Sequence, residues 1–255
     1  MLRKYGTPPY HLVLLHGGPG AIGSLNPLAE ELAARYDLGV LEPFQSMRRI
    51  SALVDELFMQ IADEVDLPVV LVGHSWGAWL ALFFAAQHKE WVEKVILIGC
   101  PPFEDKYVPL IMQRRMERLA VQEQTDFLQL LSHTHLSDDE FIRLQGLVAR
   151  TDNYHVKVNE NDFAPDQSAY EQVWNEAAAF RSSNGFAGLL LGVSVPIHII
   201  HGEEDPHPLV GVTAPLEQAS VHYVLRTLSH CGHSPFLELE AKEEFYDVLN
   251  EMIQD

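Results

Sequence analysis

Cysteine is scarce in this chain, which has only Cys100 and Cys231 among its 255 residues. The two lie far apart and neither belongs to a Cys-x-x-Cys pair, so neither a redox motif nor a cysteine zinc site is indicated. Long apolar runs are also missing: no stretch approaches a membrane span, and the run at 12–15 is too short for a signal-peptide core. We therefore expect a reduced, cytoplasmic protein that does not contact a membrane.

Basic residues are few, with 17 Lys and Arg against 36 Asp and Glu and a net charge of −19. This balance argues against a binding surface for nucleic acid or an anionic membrane. It favours solubility, and it would also attract substrates with a free amino group. The thirteen histidines include the spacings His133-x-His135 and His230-x-x-His233, but no convergent ligand set accompanies them, so we predict no metal site.

Apolar strands alternate with amphipathic helices in the two outer parts of the chain. Continuously apolar strands that alternate with helices predict an α/β fold, in which a mostly parallel central sheet has helices on both faces. The predicted strands are 11–15, 38–41, 69–73, 94–98, 195–201 and 221–228, and the predicted helices are 26–36, 50–61, 76–88 and one that ends near residue 253.

The alternation stops at Pro101-Pro102. Residues 103–192 show helical patterns and no convincing strand, so we predict an all-helical cap inserted into a core made of 1–102 and 193–255. Ser137 and Glu140 resemble a capping box at the start of one cap helix. A later helix carries an apolar stripe that either packs on the core or lines a site beneath the cap. Its members are Tyr170, Val173, Trp174, Ala177 and Phe180.

The segment from Val69 to Gly77 joins an apolar strand to Gly73-His-Ser75-Trp-Gly77 and then to a helix-forming stretch. In such a strand–turn–helix the glycines leave room for a strained turn that exposes the serine hydroxyl. Gly-x-Ser-x-Gly alone is a weak pattern, and the alternative is a glycine-rich loop with a structural serine. The strand before it and the helix after it favour Ser75 as a catalytic nucleophile.

A serine nucleophile requires a base, an acid that orients the base, and donors for the oxyanion. Asp205 and His233 each lie in a loop directly after an apolar strand, which gives the chain order Ser, Asp, His. Other residues compete for these roles. The alternative acids are Glu203, Glu204, Glu104 and Asp105, the alternative bases are His230 and His207, and His16 and His74 are expected to be structural neighbours.

With three motifs at strand ends in this order, the chain resembles the α/β-hydrolase superfamily from His16 to the C-terminus. The resemblance implies a catalytic triad of Ser75, Asp205 and His233, and an oxyanion hole made by the backbone N–H groups of Gly18 and Trp76. Among the candidate bases, only His233 lies in a Gly-His pair that is followed by Pro and Glu, which is the family's pattern around the catalytic histidine.

The pentapeptide His16-Gly-Gly-Pro-Gly20 is similar to one typical of proline iminopeptidases. Two features depart from the family. Only about ten residues precede the His-Gly motif, where the family has a longer antiparallel hairpin, and the cap of about ninety residues is short for a proline iminopeptidase.

The resemblance implies a two-step acyl transfer from a small-molecule ester or amide to water, with no cofactor or metal. An iminopeptidase would need carboxylates to hold the substrate's ammonium group. A carboxylesterase, a lactonase or a carbon–carbon bond hydrolase would use the same triad, and a non-catalytic small-molecule receptor is the alternative from another class. The candidate substrate contacts are Trp79, Tyr170, Trp174 and Glu204, and the other candidate ammonium ligands are Glu160, Asp162, Asp166 and Glu171.

Overall fold

A single seven-stranded sheet, in the order β1-β3-β2-β4-β5-β6-β7, organises the protein in the computed structural model, which describes residues 2–133, 135–156 and 166–255. The strand β1 runs antiparallel to β3, and all other neighbours are parallel. The strands are β1 (Leu2–Tyr5), β2 (Tyr10–Leu15), β3 (Gly39–Pro43), β4 (Val69–His74), β5 (Val92–Ile98), β6 (Ile197–Gly202) and β7 (Tyr223–Leu228).

Helices cover both faces of this sheet, as the apolar strands predicted. Along β4, Val69 and Leu71 belong to one buried cluster while Val70 and Val72 belong to another, because successive side chains of a strand point to opposite faces. The helices outside the cap are α1 (Asn26–Tyr36), α2 (Ile50–Ile61), α3 (Trp76–Gln87), α9 (Val210–Gln218) and α10 (Lys242–Gln254). The predicted fold class is confirmed.

Between β5 and β6 the described residues form five α-helices, all within the predicted cap segment. They are α4 (Val108–Arg118), α5 (Val121–Ser132), α6 (Asp138–Asp152), α7 (Gln167–Ser182) and α8 (Gly185–Gly192). The predicted capping box is present, since Ser137 Oγ accepts from the Glu140 N–H and Glu140 accepts from the Ser137 N–H. Division of the chain at residues 103 and 192 stays a prediction.

One strand and one α-helix outside the cap escaped the sequence analysis. The strand β1 is four residues long and contains Arg3 and Lys4, so it lacks an apolar pattern. It supplies one antiparallel strand ahead of the His-Gly segment. The helix α9 contains Pro215 and has no clear apolar stripe. None of the helices in the part of the chain described is long and apolar enough to cross a membrane.

Candidate active site

Ser75 occupies a strained turn between β4 and α3. Its backbone has φ 53° and ψ −121°, a conformation that non-glycine residues rarely adopt. The flanking glycines make the turn possible: a Cβ atom on Gly73 would overlap the carbonyl oxygen of Gly77, and one on Gly77 would overlap that of Leu15. The Gly-x-Ser-x-Gly pattern therefore has the steric role that the sequence analysis gave it, and Ser75 remains half-buried rather than packed in the core.

Asp205 and His233, which follow β6 and β7, form a buried pair. His233 Nδ1 lies 2.8 Å from Asp205 Oδ2. An ionised carboxylate only accepts hydrogen bonds, so Nδ1 carries the proton and Nε2 is left with a lone pair. Gly99 lets His233 approach the sheet, because a Cβ atom there would lie 2.8 Å from the His233 carbonyl oxygen. The structure thus brings the predicted acid and base together.

His74 connects the base to the nucleophile's strand. Its Nε2 donates a hydrogen bond of 2.9 Å to the His233 carbonyl, and the two rings lie 5.0 Å apart. Because Ser75 is the next residue after His74, the nucleophile and the base lie at the same edge of the sheet. Burial, together with the nearby His233, lowers the pKa of His74 to about 3, so His74 is a neutral structural contact.

The electrostatic field of the pair favours proton acceptance by His233. Burial acts to lower the pKa of His233, but the charge of Asp205 and its hydrogen bond outweigh burial, so this pKa is raised. Burial acts to raise the pKa of Asp205, but the imidazoles of His233, His207 and His201 hold it well below its usual range. Activation of a serine requires an ionised acid beside a histidine that accepts a proton readily, and this pair has both properties.

His207 is a second imidazole on the same carboxylate. Its Nδ1 and its backbone N–H lie 2.7 and 2.8 Å from Asp205 Oδ1, and its ring stacks on that of His233 with centroids 4.4 Å apart. Burial is the main cause that lowers the pKa of His207. Of the competing bases, His207 thus contacts the acid, whereas the His230 ring packs against Tyr154.

The competing acids have other partners. Glu204 is exposed and pairs with Arg118 at 3.4 Å, and Glu203 accepts from the Ser229 hydroxyl at 2.9 Å. The two acids after β5 also form local ion pairs: Glu104 with Lys106 at 2.8 Å and Asp105 with Arg181 at 2.6 Å. Within the described ranges, none of these four carboxylates hydrogen-bonds to an imidazole.

The two predicted oxyanion donors lie on neighbouring loops. Trp76 is the first residue of α3, so its N–H has no acceptor within the helix. Gly18 has φ 45° in the turn that follows β2. Gln45, which the sequence analysis missed, joins the two loops: its amide donates to the His16 carbonyl at 3.1 Å and accepts from the Trp76 indole at 2.9 Å. His16 itself is fully buried in the first loop, as expected for a structural neighbour.

Aromatic rings of the cap lie over α3. Trp174 stacks on Trp79 with centroids 5.8 Å apart, and Tyr170 continues the stack at 6.2 Å from Trp174. Trp79 is fully buried, and its indole donates to the Pro101 carbonyl at 3.1 Å. Tyr170 and Trp174 are only partly buried. All three substrate contacts stay predictions, and Trp79 is the one with no exposed surface.

The end of α6 reaches the base. The Asp152 carbonyl accepts the His233 N–H at 2.8 Å, and the Asp152 carboxylate forms two hydrogen bonds with Arg115 at 2.7 and 2.6 Å. Sequence patterns gave no signal for this ion pair. It places an acidic and a basic side chain of the cap beside the histidine.

Most of the carboxylates that were predicted as ligands for a substrate ammonium group already have a partner in the structure. Asp166 pairs with Arg48 at 2.7 Å, and Glu204 pairs with Arg118. Glu171 accepts from the Gln167 side chain at 2.8 Å. The remaining candidates, Glu160 and Asp162, lie outside the described residues.

Residues 12–248 match the sequence model of the alpha/beta hydrolase family. The chain belongs to the alpha/beta hydrolase family. This confirms the resemblance inferred from the three motifs at strand ends, and it agrees with the sheet order and helical layers described above.

A methyl ester esterase is similar in sequence, and two solved structures are similar in fold. The pimeloyl-[acyl-carrier protein] methyl ester esterase of Nitrosomonas europaea is 25% identical over 240 residues, which cover 89% of each chain. The structure of VinJ has a TM-score of 0.72 at 16% identity, covering 99% of this hydrolase and 94% of VinJ. The proline iminopeptidase of Mycobacterium smegmatis has a TM-score of 0.68 at 16% identity, covering 99% and 93%. The two structures share the fold with this chain.

Proposed function

We propose that this hydrolase cleaves a small ester through an acyl-enzyme formed on Ser75. The observation that carries the proposal is the strained turn at Ser75 on the same sheet edge as the 2.8 Å Asp205–His233 pair. These groups supply a nucleophile, a base and an orienting acid.

In this mechanism His233 Nε2 takes the proton of the Ser75 hydroxyl while Oγ attacks the ester carbonyl. The N–H groups of Gly18 and Trp76 stabilise the tetrahedral oxyanion. His233 then gives the proton to the departing alcohol. Water next attacks the acyl carbonyl while His233 Nε2 takes its proton. The second tetrahedral intermediate then breaks its bond to Ser75 Oγ, which receives the proton from His233, and the acid is released. Asp205 holds the tautomer of His233 and stabilises its positive charge.

Two observations favour an ester over the amide of an N-terminal amino acid. The similar protein from Nitrosomonas europaea is a methyl ester esterase by name. An aminopeptidase would need a carboxylate for the substrate ammonium, and Asp166 and Glu204 are each neutralised by an arginine. The partly buried rings of Tyr170 and Trp174 would instead suit an apolar acyl or alcohol group.

The test compares wild type with Ser75→Ala on short-chain nitrophenyl esters and on aminoacyl nitroanilides that include proline. Ser51→Ala, at an exposed serine of α2, is the matched control. We expect ester cleavage by wild type and control, and a rate roughly 10⁴- to 10⁶-fold lower in Ser75→Ala. Labelling by a fluorophosphonate should require Ser75.

Three other results would contradict ester cleavage on Ser75. Serine-dependent cleavage of prolyl nitroanilide would establish an iminopeptidase-like enzyme instead. Equal turnover by Ser75→Ala would exclude Ser75 as the nucleophile. Absence of both turnover and labelling would favour a non-catalytic receptor on this fold.

A further inference from the structure

Asp205 holds two imidazoles side by side. The Nδ1 atoms of His207 and His233 lie 2.7 and 2.8 Å from its two oxygens, and the rings are stacked at 4.4 Å with an angle of 28°. Because each Nδ1 donates to the carboxylate, each neutral ring keeps its lone pair at Nε2. Proteins commonly orient metal-binding histidines in this way, with the second ring nitrogen donating to a carboxylate.

Asp152 adds a carboxylate to these two rings. One potential ligand atom from each of Asp152, His207 and His233 lies within 4.8 Å of the other two, and all three residues are buried. Arg115 binds both oxygens of Asp152, at 2.7 and 2.6 Å. Oδ1 also accepts a long hydrogen bond from the Thr151 hydroxyl at 3.5 Å, whereas Oδ2, among the described residues, retains a second lone pair that can still bind an ion. The positive charge of Arg115 repels a cation and weakens the attraction of Asp152 for it. The two imidazoles would therefore be the principal ligands.

We propose that Asp152, His207 and His233 bind a zinc ion, and that the bound ion inhibits the enzyme. Imidazole nitrogen and carboxylate oxygen are common zinc ligands, and a three-residue set leaves a position for water. Zinc bonds of about 2.0–2.2 Å place ligand atoms roughly 3.3 Å apart, so the separations between the ligand atoms would have to shorten by up to about 1.5 Å.

The inhibitory part rests on the proposed function. An ion on His233 Nε2 occupies the lone pair that accepts the Ser75 proton, so the bound enzyme has no base. The binding part does not depend on catalysis, because Ser75 is not a ligand. The two parts can therefore be tested separately.

Zinc affinity is measured first on Ser75→Ala protein, by competition with a chromophoric chelator. We expect one ion per chain. Loss of a partner that only orients a ligand typically costs about 10- to 100-fold in metal affinity, so loss of a ligand in His207→Gln or Asp152→Asn should weaken binding by at least about 10-fold. The control adds His133→Gln and His135→Gln, which remove an exposed histidine pair from the cap and should leave the affinity unchanged. If His207→Gln does not fold, Asp152→Asn and the absorption spectrum of bound Co²⁺ still test the site.

Inhibition is then measured on wild type. Ester turnover and fluorophosphonate labelling should fall at the zinc concentrations that saturate Ser75→Ala, and a chelator should restore both. Absence of binding, or equal affinity in every variant, would overturn the site. Full turnover at saturating zinc would overturn the inhibition. Site-dependent zinc binding by a protein that hydrolyses no ester would support the site and refute the proposed function.

Discussion

The indole Nε1 of Trp76 donates a hydrogen bond of 2.9 Å to Oε1 of Gln45. The other end of the same amide donates to the His16 carbonyl at 3.1 Å, and the Gln45 side chain is buried. One side chain therefore connects the turn that carries the nucleophile with the loop that carries Gly18. The relative position of the two proposed oxyanion donors depends on this link.

Replacement of Gln45 by Leu should lower kcat on the order of 10- to 100-fold with little change in KM. The substitution removes both hydrogen bonds, and a misplaced donor weakens the transition state more than the bound substrate. Steady-state kinetics on a cleaved ester, with a thermal melt to verify folding, checks the prediction.

Gln60→Leu is the control for this substitution. Gln60 also uses both ends of its amide, on the N–H and the carbonyl of Phe44, but it does not contact either donor loop. Gln60→Leu should therefore affect stability more than kcat. Equal losses of kcat in the two folded variants would show that Gln45 has no special role in positioning the donors.

The centre of this fold was predictable because strands such as β2 and β4 are continuously apolar and helices such as α2 have one apolar face. The contact between Asp205 and His233 was predictable as well, since both follow parallel strands whose carboxyl ends lie at the same edge of the sheet. Gln45 was not, because its partners His16 and Trp76 are about thirty residues away on either side and no local pattern marks the contact.

The ion pair between Arg115 and Asp152 illustrates the same limit within the cap. Both residues lie in the segment 103–192 that was predicted to be helical, but that prediction does not say which polar side chains turn toward the base. Their contact with the His233 loop follows from how α4 and α6 pack, which only the tertiary structure specifies.

The activity should have an acid limb governed by His233. His233 acts as a base only in its neutral form. Its pKa is raised because the charge of Asp205 outweighs the effect of burial. We therefore expect kcat/KM to fall as the pH decreases through a value above the usual histidine pKa. Asp205→Asn should move the His233 titration to lower pH and reduce kcat roughly 10⁴-fold. An NMR titration of the His233 ring and a pH–rate profile test both effects. A titration that does not move in Asp205→Asn would contradict the electrostatic coupling of the pair.

Acid should destabilise the fold through two buried histidines. Burial lowers the pKa of His16 to about 4 and, with His233, that of His74 to about 3. The unfolded chain therefore binds more protons below about pH 6.5, and the free energy of unfolding decreases as the pH falls from there toward 4. Each histidine should account for about 2 kcal/mol between pH 7 and pH 5.

Urea unfolding of His74→Gln at pH 7 and pH 5 isolates one of these contributions. A glutamine amide can still donate to the His233 carbonyl but does not titrate, so the stability difference between the two pH values should shrink by about 2 kcal/mol. His222→Gln, at an exposed position, is the matched control variant. Identical pH dependence in wild type and His74→Gln would show that His74 does not titrate differently on unfolding.

Glu238 should couple the cap to the base. Its fully buried carboxylate accepts three backbone hydrogen bonds, from Gly232 beside the base at 2.8 Å and from Tyr154 and His155 after α6 at 2.8 and 2.7 Å. Glu238→Ala would leave these three N–H groups without an acceptor, so we expect a loss of about 3–5 kcal/mol in stability. The loop of His233 would also lose its anchor, so kcat should fall in the protein that remains folded.

Glu238→Gln and Glu240→Ala make the test specific. Glutamine keeps one acceptor oxygen but turns an amide group toward a backbone N–H, so its effect should be intermediate. Glu240 is exposed and its carboxylate accepts from the His155 ring at 2.7 Å, so its removal should affect stability the least of the three. Urea unfolding and kcat measured on all three variants test the order Glu238→Ala, Glu238→Gln, Glu240→Ala. If Glu238→Ala were as stable and active as Glu240→Ala, the carboxylate would not be what holds the end of α6 against the His233 loop.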